Sequence, residues 1–249
     1  MKRQMLIGSV LAALLVTPIA IAAFAQAPKG GRNQNKKQAA QPVPKPLLFL
    51  REEWKEPPHT GALTDENRRV SQQVLTNPNL ELKLYGPCGQ PGVGTLGIYG
   101  TPATVVPLNV WSGMCASPFA ATLRDRNNYV DLTGPARIKW VFRANNLHAL
   151  RPVVKLADGT LLVGNHADVT PTGTNEFEPQ MVESEFAIAA VRWYRLNAET
   201  IATTRAADNP DLSKVDEIGW ADLMAGGGHG PAGWVNMGPF EVYGKPVKR

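Results

Sequence analysis

Residues that carry enzyme chemistry are sparse in this sequence. Its 249 residues include two cysteines and four histidines. The histidines, His59, His148, His166 and His229, are scattered and show no His-x-x-x-His spacing; the pair His166 and Asp168 gives only weak support for zinc. A G-x-S-x-G nucleophile elbow is absent. The sequence therefore offers no catalytic signature.

A nucleotide-binding motif is also missing, although one run has its form. Gly92–Gly97 (GVGTLG) matches the dinucleotide fingerprint letter by letter. The fingerprint requires a helix that opens at its third glycine and holds the pyrophosphate at its N-terminus. Ile98–Pro102 (IYGTP) follows here and is not a helix pattern. We therefore do not expect nucleotide binding.

Long apolar runs are confined to the N-terminus. Met1–Ala25 has the features of a secretory signal peptide: Lys2 and Arg3, an apolar run over Leu6–Ala23, and an A-x-A site that ends at Ala25. A membrane-anchoring helix is the alternative, but Pro18 and the small residues of the site favour cleavage. No later segment approaches the roughly 20 apolar residues that span a bilayer. The sequence predicts a secreted or periplasmic protein without a membrane span after cleavage.

The positive charge lies outside the predicted folded part. Residues 26–46 lack apolar periodicity and predict a disordered linker before a single domain over residues 47–249. Residues 1–46 hold seven Lys and Arg and no acid, which leaves 26 − 7 = 19 basic against 21 acidic residues in the domain. This near-neutral balance argues against a nucleic-acid partner, which needs basic residues clustered on a folded surface.

The two cysteines, Cys88 and Cys115, lie in Gly- and Pro-rich surroundings. In an oxidising compartment they are expected to form a disulfide. Closing a 27-residue loop stabilises a fold by about 3.5 kcal/mol in the chain-entropy model. A thiol nucleophile is the alternative, but no activating base is evident in the sequence.

The stretch Tyr129–Val163 carries the clearest strand patterns. Over Arg137–Arg143, one face carries Ile138, Trp140 and Phe142 and the other carries Arg137, Lys139 and Arg143, which is typical of a half-buried strand. Asp158-Gly159 predicts a two-residue type I′ turn, which would place Leu156 opposite Leu161 in a hairpin. The side opposite the core would then be a shared basic face of the hairpin and the preceding strand: Arg137, Lys139, Arg143, Arg151 and Lys155.

The rest of the domain shows short strand patterns without an alternating helix pattern. One short helix is plausible over Thr64–Leu75, where Thr64 has the position of a cap. Seven to nine short strands with at most one or two short helices predict an all-β sandwich.

Several of these runs resemble galactose-binding-like jelly rolls, whose nearest relatives are carbohydrate-binding modules and complex-I-assembly-type domains. The resemblance is carried by Phe119–Leu123, Tyr129–Gly134 and Ile138–Ala144, and by the closing pair Leu212–Gly219 and Phe240–Gly244. It implies a jelly-roll β-sandwich that is often non-catalytic and often binds glycans. It also implies that a structural calcium ion is possible, with Glu241 as a candidate ligand; no other cofactor is expected.

Glycan binding requires exposed aromatic faces together with fixed polar groups. Trp140 alternates with Ile138 and Phe142 and is therefore assigned to the core, whereas Trp111 and Trp234 lie beside Gly-rich loops and are the better exposed candidates. Basic groups nearby would favour an acidic or hydroxyl-rich ligand, because guanidinium groups suit carboxylates. The candidate ligand-binding residues are Trp111, Lys139, Arg143, Arg151, Lys155, Arg192, Tyr194 and Trp234.

Two other functions remain open at this stage. A sandwich-fold hydrolase acting on sugars would need two carboxyl groups about 5 to 10 Å apart, and Glu183 with Glu185 or Asp216 with Glu217 are available. A structural or assembly protein of the cell envelope would need no small ligand. The leading expectation is an exported, non-catalytic module that binds carbohydrate or a cell-surface glycan.

Overall fold

The computed structural model describes residues 46–100, 107–170, 181–225 and 233–249. The predicted signal peptide and nearly all of the predicted linker lie outside these residues. The described part holds fifteen β-strands and two 3-10 turns, Gln72–Val74 and Ile188–Ala190. The strands are β1 (Leu48–Glu52), β2 (Leu80–Tyr85), β3 (Gly97–Tyr99), β4 (Asn109–Trp111), β5 (Phe119–Asp125), β6 (Asn128–Asp131), β7 (Arg137–Ala144), β8 (Arg151–Leu156), β9 (Leu161–Gly164), β10 (Val182–Ala187), β11 (Trp193–Leu196), β12 (Thr203–Ala206), β13 (Val215–Asp222), β14 (Val235–Tyr243) and β15 (Lys245–Lys248).

The strands form two antiparallel sheets with a shared core. Sheet A has the order β10-β7-β14-β4-β3, and β1 also pairs with β14. Sheet B has the order β12-β11-β9-β8-β13-β5-β2, and β6 joins β13 to β15. Trp220 of sheet B meets Phe240 of sheet A with ring centroids 5.9 Å apart, between the two sheets. The predicted all-β sandwich is confirmed, and in the described residues no helix is long and apolar enough to cross a membrane.

The helix predicted over Thr64–Leu75 does not form. Its backbone groups pair instead with the chain around β3: Val70 N donates to Leu96 O (2.9 Å), and Ile98 N donates to Arg68 O (2.8 Å). The Thr64 cap exists, but it closes one turn with Asn67. Pairing with a sheet edge therefore replaces the intrahelical hydrogen bonds, and three residues in a 3-10 turn remain.

The hairpin of β8 and β9 differs from the prediction by one residue. Val153 pairs with Val163 and Lys155 with Leu161, around a three-residue loop whose Gly159 has φ +88°. A one-residue slip sends every side chain of a strand to the opposite face. Consequently Leu162 enters the core, while Leu161 and Val163 lie on the outer face of sheet B.

The predicted shared basic face is wrong. Strand β7, with Arg137, Lys139 and Arg143, belongs to sheet A, whereas β8, with Arg151 and Lys155, belongs to sheet B. Because the core lies between the sheets, these two sets of side chains point in opposite directions. The basic residues therefore belong to two separate surfaces.

The predicted disulfide is confirmed. Cys88 and Cys115 are bonded, and their Cα atoms lie 5.7 Å apart. Both residues are buried. Nearby, Thr95 N donates to Met114 O (2.9 Å) and Ala116 N donates to Val93 O (3.0 Å). The bond therefore anchors the long loop before β3 to the chain after β4.

An ion-pair network on sheet B is expected to make the free energy of unfolding fall at acid pH. Arg124 lies 3.2 Å from Glu81 and 3.0 Å from Asp216, and Arg249 also pairs with Asp216. The hydrogen bond from Arg124 lowers the pKa of Glu81. Burial raises the pKa of Asp216, but its hydrogen bonds from Arg124 and Arg249 outweigh that effect and lower it.

A carboxyl whose pKa is lower in the folded state stabilises the fold above its unfolded pKa and loses that contribution as pH falls through the folded pKa. We therefore expect the free energy of unfolding to decrease below about pH 4. Urea unfolding at about pH 6 and about pH 3 measures this decrease, which should be smaller in Arg124→Gln. Arg205→Gln, on exposed β12, is the control. Equal decreases in wild type and Arg124→Gln would contradict the assignment.

Candidate functional site

The outer face of sheet A brings together three of the predicted site residues, Trp111, Arg143 and Trp234. Asn236 of β14 is the register partner of Arg143 on one side and of Trp111 on the other. Phe142 and Met237, beside these positions, face the core. Side chains alternate along a strand, so Arg143, Asn236 and Trp111 face outward.

We call the outward-facing group of Tyr99, Trp111, Arg143, Trp234 and Asn236 the aromatic patch. Tyr99 of β3 packs on Trp111 with ring centroids 5.6 Å apart. The guanidinium carbon of Arg143 lies 5.8 Å from the centroid of the Trp234 ring. The group extends over neighbouring strands β7, β14, β4 and β3.

Exposure differs among the rings of the aromatic patch. Tyr99 is 44% exposed, whereas Trp111 is 4% exposed and Trp234 is half-buried. The expectation of an exposed Trp111 is therefore wrong. Its ring folds over Gly113, where an added Cβ would lie 2.1 Å from a ring atom. Trp111 forms the base on which Tyr99 rests, and Tyr99 presents the accessible surface.

Two buried amides fix the polar part of the patch. Asn109 Nδ2 donates to Pro107 O (2.9 Å), which turns Asn109 Oδ1 toward Asn236. Asn236 Nδ2 then donates to Asn109 Oδ1 (2.8 Å). This leaves Asn236 Oδ1 buried and without a hydrogen-bond donor among the described residues. Such buried unpaired acceptors are uncommon and usually have a specific cause.

Arg143 differs from the other cations of its strand. Lys139 Nζ lies 2.8 Å from Glu183, and Arg137 Nε lies 2.9 Å from Glu185, although not at a hydrogen-bonding angle. Arg143 is half-buried and makes no ion pair with any described carboxylate. Burial lowers the pKa of Arg143, and the charge interaction with Tyr99 opposes this only in part.

The remaining predicted binding residues lie outside the aromatic patch. Lys139 shares the outer face of sheet A but is paired with Glu183. Three others belong to sheet B or its margin: Arg151, which donates to Asn165 O (3.1 Å), Tyr194 on β11, and Arg192 just before it. Lys155 lies on the same outer face as Tyr194. The structure thus divides the predicted set between two surfaces.

Lys155 belongs to a buried polar cluster on sheet B. Its Nζ lies 3.1 Å from Tyr85 Oη and 3.2 Å from Glu217 Oε1. Glu217 also accepts from Tyr85 Oη (2.7 Å) and from Thr122 Oγ1 (2.6 Å). Burial, followed by the hydrogen bond to Glu217, raises the pKa of Tyr85 to about 12. These groups satisfy one another, which is the pattern of a structural cluster.

The carboxyl pairs considered for hydrolysis are all engaged by other side chains. Glu183 and Glu185 pair with Lys139 and Arg137 on sheet A. Asp216 pairs with Arg124 and Arg249, and Glu217 belongs to the sheet B cluster. Each carboxylate therefore has a local structural role.

Glu241 is also engaged by protein groups. Arg51 lies 3.4 Å from its Oε1, and Tyr243 Oη donates to its Oε2 (2.5 Å). Within the described ranges, no group of three or more His, Cys, Asp and Glu side chains is arranged to hold a metal ion. Calcium binding at Glu241 stays a prediction.

Comparison with known proteins gives distant structural similarity. No protein-family model matches the chain, and no curated protein sequence matches it. A family 11 carbohydrate-binding module from Clostridium thermocellum, in complex with a β-1,3-1,4-mixed-linked tetrasaccharide, is similar at a TM-score of 0.39 and 11% identity, over 80% of this chain and 99% of that one. The family 11 module of the cellulosomal cellulase Lic26A-Cel5E, from the same organism, is similar at a TM-score of 0.36 and 11% identity, over 73% of this chain and 94% of that one.

An exo-β-agarase is similar at a TM-score of 0.35 and 9% identity, over 74% of this chain but only 25% of the enzyme. The carbohydrate-binding modules are the kind of protein that the sequence resemblance names. At these identities and TM-scores the similarity is distant, and the functional proposal stands on the side chains of the aromatic patch.

Proposed function

We propose that this protein is an exported, non-catalytic jelly-roll module that binds carbohydrate on its aromatic patch. The observation that carries this proposal is an exposed aromatic ring beside a buried acceptor and a half-buried cation, neither of which has a hydrogen-bond or ion-pair partner among the described residues. Tyr99 offers an apolar surface, and Asn236 Oδ1 and Arg143 offer an acceptor and donors beside it. Sugars combine apolar ring faces with hydroxyl groups, and sites that bind them supply both complements.

Two further features support export and a non-catalytic role. The Cys88–Cys115 disulfide suits an oxidising compartment, as does the signal-peptide pattern of the first 25 residues. The carboxylates that hydrolysis would use are held in ion pairs and hydrogen bonds. A structural protein of the envelope remains the rival, and it would bind no glycan.

A glycan array probed with the purified chain, followed by titration of the best ligand, tests the proposal. We expect Tyr99→Ala and Trp234→Ala each to weaken binding about fivefold, since a stacked ring contributes about 1 kcal/mol. Tyr194→Ala removes a half-buried tyrosine from the outer face of sheet B and is the matched control. Its affinity should equal that of wild type.

Two results would contradict the proposal. Failure of the purified, folded chain to bind any glycan would favour the structural rival. A loss of affinity in Tyr194→Ala, with none in Tyr99→Ala, would move the site to sheet B. Circular dichroism and thermal unfolding of each variant show whether it remains folded.

A further inference from the structure

Among the described residues, the outward-facing charged side chains of β1, β7, β10 and β14 on sheet A are paired except at one position. Arg51 and Tyr243 engage Glu241, and Lys139 and Arg137 of β7 face the two glutamates of β10. Arg143 lies four residues beyond Lys139, about 13 Å further along the strand. No described carboxylate pairs with it, although burial partly removes its guanidinium from water.

A partly buried charge without a counter-charge costs folding free energy. Another partly buried arginine of this chain is neutralised by carboxylates, since Arg124 lies between Glu81 and Asp216. Among the described residues, the register partner of Arg143 is the neutral Asn236. The guanidinium of Arg143 therefore presents a positive charge that an anionic ligand would neutralise.

Asn236 Oδ1 needs a hydrogen-bond donor, whereas Arg143 needs an acceptor. Adjacent strands lie about 4.8 Å apart, so the Asn236 side chain, which carries this acceptor, lies beside the Arg143 side chain. Chloride and sulfate carry no donor and would not satisfy it. A sugar acid satisfies both groups, because its oxyanion accepts from the guanidinium and a neighbouring hydroxyl donates to the amide oxygen.

The aromatic rings set where the rest of such a ligand lies. Trp234 is on the Arg143 side of the patch, and Tyr99 is on β3, three strands away from β7. Three strand spacings are about 14 Å. A ligand that covers the patch across all four of these strands is therefore an oligosaccharide.

We propose that the aromatic patch takes an acidic oligosaccharide, with a carboxylate or sulfate group of one sugar paired to Arg143 and a hydroxyl of that sugar donating to Asn236 Oδ1. This inference rests on the proposed carbohydrate-binding function and narrows its ligand class. Carboxylate and sulfate present the same chemistry to a guanidinium fork, and the ligands of the test separate them.

Calorimetric titration with three oligosaccharides tests the inference: a hexuronate oligomer, its carboxyl-reduced neutral counterpart of the same linkage, and a sulfated oligomer. We expect an acidic oligomer to bind about tenfold or more tightly than the neutral one, as one charge-assisted contact contributes about 1.5 to 3 kcal/mol. Arg143→Gln should abolish the difference. Arg205→Gln, which removes the same charge from β12, should preserve it.

Stability provides an independent readout. Arg143 has no counter-ion in the described structure, so the thermal midpoint of unliganded Arg143→Gln should equal or exceed that of wild type. A merely structural arginine would give a lower midpoint. Whether the hexuronate or the sulfated oligomer depends on Arg143 identifies the source of the oxyanion.

The outcomes separate this inference from the proposed function. If the neutral oligomer binds as tightly as both acidic ones and Arg143→Gln changes nothing, the acidic class is wrong while carbohydrate binding stands. If no carbohydrate binds to the folded chain, both proposals fail. If Arg205→Gln removes the preference as fully as Arg143→Gln, the effect is one of net charge and the Arg143 site is refuted.

Discussion

Replacing Glu52 with alanine is expected to lower the free energy of unfolding by about 5 kcal/mol, since several hydrogen bonds to a buried charge are lost together. Glu52 is fully buried. Its carboxylate accepts from Trp54 N (2.9 Å), Thr76 N (2.7 Å), Thr76 Oγ1 (2.7 Å) and Asn77 N (3.1 Å). These bonds join the end of β1 to the segment after the first 3-10 turn.

The loss would extend into the core through Trp54. This residue has φ +60°, a conformation that side chains rarely adopt and that surrounding contacts must maintain. Its ring packs edge-on against Trp220 at 5.6 Å, and its Nε1 donates to Gly238 O (2.7 Å). Without the acceptor at Glu52, the backbone that places this ring loses its anchor.

Urea unfolding followed by tryptophan fluorescence measures the effect. The neighbouring Glu53→Ala is the control: the Glu53 side chain is half-exposed and, among the described residues, pairs only with Arg51, so a change within about 0.5 kcal/mol is expected. Glu52→Gln should fall between the two, because it keeps one acceptor oxygen. A loss below about 1 kcal/mol in Glu52→Ala would show that water replaces the carboxylate.

Trp140→Ala is expected to destabilise the fold by a similar amount, about 3 to 5 kcal/mol from the cavity alone. Trp140 is fully buried and packs against Phe186 at 5.0 Å and Phe240 at 6.1 Å between ring centroids. Its Nε1 donates to Asp168 Oδ2 at 2.6 Å, so the substitution also removes a donor from a half-buried carboxylate.

Trp140→Phe separates these two contributions, since it retains most of the packing and loses the donor. We expect it to destabilise by about 1 to 3 kcal/mol, the cost of an unpaired polar group. Thermal and urea unfolding provide the measurement. Glycan affinity is the second readout: folded Trp140→Phe should bind as wild type does, because Trp140 faces the core and the patch faces outward. Reduced affinity in this variant would place the ligand elsewhere.

Alternation within a strand was sufficient to predict the orientation of side chains in β7. Ile138, Trp140 and Phe142 are buried as expected, because a period of two follows directly from strand geometry. The assignment of β7 and β8 to different sheets could not be predicted in this way. Alternation shows which face of a strand is buried but not which sheet receives it, and the predicted basic face failed for that reason.

The hairpin of β8 and β9 shows a second limit. Asp158-Gly159 suits both a two-residue loop and a three-residue loop that ends in a left-handed glycine. The two alternatives differ by one residue in register and reverse the faces of the second strand. Only the packing of Leu162 into the core selects between them.

The aromatic patch was predicted in part. Arg143, Trp111 and Trp234 were named from the sequence, whereas Tyr99 and Asn236 were missed. Tyr99 follows a run rich in glycine and proline, and its strand of three residues is too short to show an alternation of apolar and polar side chains. The unpaired oxygen of Asn236 depends on the amide of Asn109, which is 127 positions away in the chain.

The glutamates of β10 that pair with β7 also affect how copies of the chain associate. In the order of sheet A, β10 is the terminal strand, so one side of its backbone has no partner among the described residues of that sheet. Such an edge is a template for pairing with another molecule, and proteins protect it with charged side chains. Glu183 and Glu185 place two carboxylates on this edge, and both are still partly exposed within their ion pairs. The same two residues that complete the charge pattern of the outer face thereby also oppose edge-to-edge association between copies of the chain.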